Sequence, residues 1–148
     1  MSVIVTDKGF ATDDWAHGFQ PWDNITDRAW QGPKDIAVDL PSSAMASQVA
    51  PFLGHIALIR IDFPSSADGR GFSIARQLRQ LGYRGRLRAN GHVLADQYAM
   101  ARRCGFDEVE ISDDLAKRQP QDQWLFRANW QSHDYQSRLR ARTNSPTL

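Results

Sequence analysis

The segment Asp68-Gly69-Arg70-Gly71-Phe72-Ser73 holds the residue types best suited to gripping an anion. Two glycines between a strand and a helix let the backbone come close to a ligand, and the free N–H groups at a helix start favour negative charge. Arg70 adds a planar fork of donors that matches carboxylate, phosphate or sulfate, and Ser73 adds a hydroxyl. Asp68 orients Arg70 or caps the helix. The plainer alternative is an N-cap followed by a tight turn, with no ligand. The segment is not a dinucleotide fingerprint, because Ile74 stands at the third glycine position, and no Gly-Lys-Ser/Thr follows to make a phosphate loop.

Three further residues join this candidate site. Arg88 is a second cation on the next strand, Gln97 offers an amide, and Asp96 is the one candidate general base. An acid at Asp96 is equally expected from the helix dipole, since it falls in a first helical turn. His17, His55, His92 and His133 have no metal-ligand spacing, so no metal is expected. The single cysteine, Cys104, excludes an intrachain disulfide and cannot alone ligate an iron–sulfur cluster. Its place at a helix end beside Gly105 reads as core. Ser42 and Ser43 lack a His and Asp partner, so no nucleophilic triad is readable.

These residues need a frame. Ile36–Leu40 alternates like a strand, and Ile56–Phe63 is too apolar for a strand with one wet face, which is what a central parallel strand requires. Further strands are expected at 86–90 and 107–111, with helices at 42–53, 71–81 and 93–104 and an N-cap at Ser42 or Ser43. Leu53-Gly54-His55, Leu81-Gly82-Tyr83 and Cys104-Gly105-Phe106 each read as a helix closed by a left-handed glycine before a strand. The fold class is therefore α/β, a parallel sheet of about four strands with packed helices. It is either a partial βα-barrel or an open doubly wound sheet, preceded by an N-terminal β-hairpin (2–6 with 10–15). Ligands of such sheets sit at the carboxyl ends of the strands. That places Asp39, Ser42, Ser43, Asp62, Asn90, Gly91, His92, Ser112 and Asp113 around a site. The chain divides into a hairpin with a Trp-rich arm (1–34), the α/β domain (35–134) and a disordered tail (135–148). Short helical stretches are expected through Lys117 and at Trp124–His133. Four strands cannot close a barrel alone, so the sheet is open or completed by a partner or by the N-terminal hairpin, and open edges favour a homodimer.

The chain has 148 residues, 41% of them hydrophobic, and a formal net charge of +1. That charge conceals acids crowded toward the N-terminus and arginines crowded in the middle. No apolar run suits a membrane span and no signal-peptide pattern opens the chain, so a cytoplasmic protein is expected. No aromatic-basic motif of a nucleic-acid module is present, and nucleic acid is not an expected partner.

The ordered segments Ile61-Asp62-Phe63-Pro64, Asp68–Arg76, Leu78-Arg79, Gly82–Gly85, Leu87-Arg88-Ala89, Gly91, Val93-Leu94, Asp96-Gln97 and Arg103–Asp107 resemble a bacterial family of unknown function. Trp15 and Tyr135-Gln136 also fit, whereas residues 17–34 offer no motif and His92 stands where relatives commonly carry an acid. The family is described as an oxidoreductase of sulfite reduction and is associated with assimilatory sulfite reductase. The resemblance implies sulfur assimilation, with sulfite reductase as a partner. The residues carry no dinucleotide, flavin or redox-cysteine motif, so no cofactor is expected. Three readings follow. The first is an accessory protein of sulfite reduction that binds a sulfur oxyanion or phosphate through Asp68, Gly69, Arg70, Gly71, Ser73, Arg88 and Gln97. The second is a small lyase- or isomerase-like enzyme with Asp96 as base. The third is a non-catalytic module that docks on the reductase.

Overall fold

The computed structural model describes residues 2–26 and 35–130. Strands β1 (Ser2–Thr6) and β2 (Gly9–Ala11) form the hairpin, and β3 (Gln20–Pro21) and α1 (Asp23–Thr26) follow. Then come β4 (Ile36–Leu40), α2 (Ala46–Val49) running into a 3-10 turn (Ala50–His55), β5 (Ile56–Phe63) and α3 (Arg70–Gln80). The chain continues through β6 (Arg86–Gly91), a 3-10 turn (Ala95–Gln97), α4 (Tyr98–Cys104), β7 (Glu108–Ser112), α5 (Asp113–Arg118) and α6 (Gln121–Leu125).

All seven strands form one sheet in the order β2-β1-β7-β6-β5-β4-β3. The four expected strands are parallel neighbours in sequence order. The expected count of four is corrected to seven. The hairpin adds two strands by pairing β1 antiparallel to β7, and β3 adds a parallel one beside β4. Because β5, β6 and β7 advance in one direction, right-handed crossovers put their helices on the same face. On that face Val38, Leu40, Ile59, Ile61, Phe63, Leu87, Ala89, Val109 and Ile111 form one core with Phe72, Ile74, Leu78, Tyr98 and Phe106. Each large apolar side chain there contributes about 1.5–3 kcal/mol over leaving it in water, so this side drives folding.

Several local expectations shift. The second hairpin strand ends at Ala11 rather than residue 15, because Asp13 and Asp14 turn onto arginines. The helix expected at 42–53 starts only at Ala46 and tightens at Ala50, where Pro51 has no N–H to give. Ser42 is thus not an N-cap; its Oγ accepts from Arg70 instead. Gly82 and Gly105 adopt positive φ as read, but Gly54 does not and lies inside the 3-10 turn. The helix expected at 93–104 opens as the 3-10 turn before becoming α4. α5 does begin on a side-chain cap, Ser112 Oγ accepting from the Leu115 N–H at 3.1 Å. Both sheet edges are short: β2 has three residues, with its Phe10 N–H bonded to Gln121 Oε1, and β3 has two, one of them Pro21. Short, occupied edges discourage strand pairing with another chain. The helix expected at Trp124–His133 is instead α6, which ends at Leu125 and is followed by turns through Trp130. Residues 131–133, the expected tail at 135–148 and Trp30 lie outside the described residues.

Candidate functional site

The loop after β5 folds onto itself. Arg70 grips Asp68 through Nε to Oδ1 at 3.0 Å and Nη2 to Oδ2 at 2.7 Å, while the Arg70 N–H also donates to Oδ1. These bonds hold the Asp68 carboxyl well below the usual carboxylate range. Nη2 reaches Ser42 Oγ as well, at 3.0 Å, tying the ends of β4 and β5 together. Nη1 makes no bond among the described residues, and the Arg70 side chain stays 61% exposed. A hollow of about 420 Å³ opens beside it, lined among others by Ser42, Ser43, Met45, Ser73 and Gln77. Among the described residues its polar side chains are one guanidinium, hydroxyls and an amide. That set can hold an oxyanion.

Gly71 does something other than the sequence suggested. It lies buried in the first turn of α3, and a Cβ there would stand 2.5 Å from the Phe63 ring. Its bareness lets the helix sit on the sheet rather than a ligand sit on the backbone. Gly69 has ordinary negative φ and room for a side chain.

The remaining expected site residues are not gathered here. Gln97 is a strut: Nε2 donates to the Ser66 carbonyl at 2.9 Å and Oε1 accepts from the Leu94 N–H. It fixes the loop that carries Asp68 without facing the hollow. Asp96 is 83% exposed and pairs with Arg127 at 3.0 Å. His92 contacts the Phe63 carbonyl, and Cys104 is buried in the core.

Arg88 belongs to another assembly, on the sheet face that the helices leave open. Register puts Asp39, Arg60, Arg88 and Glu108 in one row across β4 to β7, with Asp62, Asn90 and Glu110 in the next. Arg60 holds Asp39 through Nε and Nη2 at 2.5 and 2.8 Å, and Glu110 through Nη1. Arg88, with 0% exposure, bonds Glu108 at 2.6 Å, Glu110 at 2.9 Å and Asp13 at 3.0 Å. Arg86 bonds Glu108 and Asp14, each at 2.8 Å. Burial works against the Arg88 charge, but Asp13 and Glu108 outweigh it and hold its pKa above the ordinary guanidinium value. Arg88 and Arg70 share no bonding partner. The network was missed in the sequence, although one signal was there: charged residues at every second position of strands that read as buried.

At the carboxyl ends of these strands, Pro21, Trp22, Asp39, Pro41, Asp62 and Asn90 enclose much of a second hollow, about 350 Å³. Asp62 and Asn90 are register neighbours. Among the described residues no group of three or more His, Cys, Asp and Glu side chains could hold a metal ion, and no helix is long and apolar enough to cross a membrane.

Comparison with curated proteins gives no match. The model of a family described as "Bacterial protein of unknown function (DUF934)" matches residues 37–145, which contain β5, β6, β7 and all of β4 but its first residue, the Asp68–Ser73 loop and the Arg60–Arg88 row. Since the match covers well over half of the chain, the protein belongs to this family.

Proposed function

We propose that the protein is a cytoplasmic accessory of assimilatory sulfite reduction that binds a small oxyanion, a sulfur oxyanion or a phosphate group, in the hollow beside Arg70. One observation carries the binding half of this reading. Arg70 is held in place by Asp68 and Ser42, and among the described residues its Nη1 has no partner at the edge of a hydroxyl-lined hollow. A guanidinium fixed in this way loses little freedom on gripping an anion. The sulfur context rests on the family resemblance. The hydroxyls of Ser42, Ser43 and Ser73 complete the donor set, and Gln97 supports the loop from behind.

Binding is favoured over turnover, since the described residues that line the hollow include no carboxylate or imidazole and Asp96 pairs with Arg127 at the surface. The test is calorimetric titration with sulfite, sulfate, phosphate and adenylyl sulfate against the native protein and Arg70→Ala. Losing one charge-assisted contact should weaken the preferred anion roughly 10- to 100-fold. The melting temperature should fall only slightly, because the Asp68 and Ser42 contacts that Arg70 gives up are at the surface. Equal affinity in the variant ends the anion reading and leaves a docking module for the reductase as the better account.

A further inference from the structure

The segment from Thr12 to Phe19 joins β2 to β3, and these are the two outermost strands of the sheet. It therefore has to cross the whole sheet. Six inter-strand gaps of ~4.8 Å span roughly 29 Å, and the nine residue steps from Ala11 to Gln20 reach at most ~30–32 Å. The crossing runs over the helix-free face with little slack. Its contacts follow in order: Asp14 on Arg86 and Asp13 on Arg88, both on β6, then Phe19 over Arg60 on β5, with 3.7 Å from guanidinium carbon to ring centroid.

All three contacts land on arginines. Among the described residues no backbone hydrogen bond ties 12–19 to the sheet, and no residue of the segment is buried. Trp15 bonds within the segment, through its N–H to Asp13 and its indole to the Gly18 carbonyl. Everything that holds the segment down is electrostatic, whereas both of its ends are sheet strands. Beneath it, each arginine keeps a second carboxylate: Arg86 and Arg88 keep Glu108, Arg88 also keeps Glu110, and Arg60 keeps Asp39 and Glu110. The row stays paired when the segment lifts.

We propose that residues 12–19 form a strap, tethered at both sheet edges and latched by charge alone, that lifts from the helix-free face while the sheet stays folded. Lifting bares Arg86 and Arg88 and takes Phe19 off Arg60, whose partner Asp39 lines the 350 Å³ hollow at the strand ends. The strap thereby governs access to a face separate from the Arg70 hollow, and the inference does not depend on anion binding there.

Chymotrypsin reads the strap directly, since Trp15 and Phe19 are its cleavage sites. Raising NaCl from about 0.05 M to about 1 M shortens the screening length to ~3 Å and should speed cleavage in the native protein by roughly tenfold, with far-ultraviolet dichroism unchanged. A free peptide of residues 10–22 supplies the protease's own salt response. Asp13→Asn/Asp14→Asn should be cut fast already at low salt and lose the salt dependence. Backbone order parameters give a second readout. Residues 12–19 should fall below ~0.6 at high salt while the central strands stay near ~0.85. Cleavage equal in native and variant protein at low salt overturns the latch. Cleavage that rises only together with loss of dichroism overturns the independent lifting.

Discussion

The two faces of the central sheet are buried by different physics. Toward the helices, Val38, Ile59, Leu87, Ile61, Ala89 and Val109 lie in an apolar core where contact area is what counts. Away from them, one residue along the same strands, Asp39, Arg60, Arg88, Glu108 and Glu110 are covered by a strap and by each other. The apolar face depends on volume and tolerates a partner of about the right size. The charged face depends on stoichiometry, because a buried charge is stable only while its counter-charge is present. Damage to the first should therefore scale with the atoms removed, and damage to the second with the charge left over.

The sharpest test of that contrast is Arg88→Ala. It leaves Glu108 to Arg86 alone and Glu110 to Arg60 alone beside an empty space and takes the guanidinium from Asp13, and breaking a buried pair from one side costs up to about 3–5 kcal/mol. Ile61→Ala, on the helix side, costs a similar ~2–5 kcal/mol through its cavity. The second-site response separates them. Arg88→Met with Glu108→Leu removes one charge of each sign, leaving Arg86 on Asp14, Arg60 on Asp39 and Glu110, and Asp13, one-third exposed, to turn to water. Urea denaturation should place that double variant within about 1–2 kcal/mol of the native protein. A double variant as unstable as Arg88→Ala alone would mean that Arg88 matters for its volume, and the two faces would not differ as described.

Gly71→Ala comes next in size. Its Cβ would lie 2.5 Å from the Phe63 ring, so α3 must shift on β5, an overpacking cost of about 1–3 kcal/mol. Gly69→Ala, two residues earlier, has open space and negative φ and should change the denaturation midpoint little. If both substitutions behave alike, the helix–sheet contact is looser than the distance implies.

Gly71 also marks where sequence reading stopped. The parallel strands were legible because β-branched runs and glycine punctuation are local signals, and α3 was legible from its apolar stripe. The purpose of Gly71 was not, since a glycine for ligand approach and a glycine for Phe63 look identical until the helix is docked. Arg88 failed for a related reason. Its residue type suggests a ligand, and only the register of β6 against β7 places Glu108 and Glu110 on its guanidinium. The hairpin was readable though its second strand is shorter than expected, β3 escaped because two residues are too short for periodicity, and the start of α2 escaped because Ser42 is drawn away by Arg70. The Asp68–Arg70 clamp, by contrast, joins residues two apart and was readable.

The smallest effect belongs to the strap, and pH isolates it. Burial pushes the Asp13 carboxyl upward, but hydrogen bonds from Arg88 and the Trp15 N–H, with the charges of Arg88 and Arg60, leave it lower than usual. For Asp14 the Arg86 hydrogen bond leads, and the net direction is again down. A carboxylate lowered on folding adds stability above its unfolded value, ~3.9, and loses it as pH falls through the folded value. Arginine does not titrate in this range, so protonation of the aspartates alone releases the latch. Asp14 is 72% exposed, and such pairs are worth about 0.2–1 kcal/mol each, discounted for screening. The native protein should thus exceed Asp13→Asn/Asp14→Asn by a small, constant margin from about pH 7 to 5, and the margin should close below about pH 4. Asp7, lowered as well, holds the β1–β2 turn through Tyr98, Arg102 and Trp130 and titrates in the same window. It is present in both proteins and cancels in the difference. A margin near zero at every pH would transfer the latch from the two carboxylates to Phe19 on Arg60, a contact that both proteins keep. Strap release would then follow the aromatic contact, and ionic strength and pH would cease to be equivalent ways of opening this face.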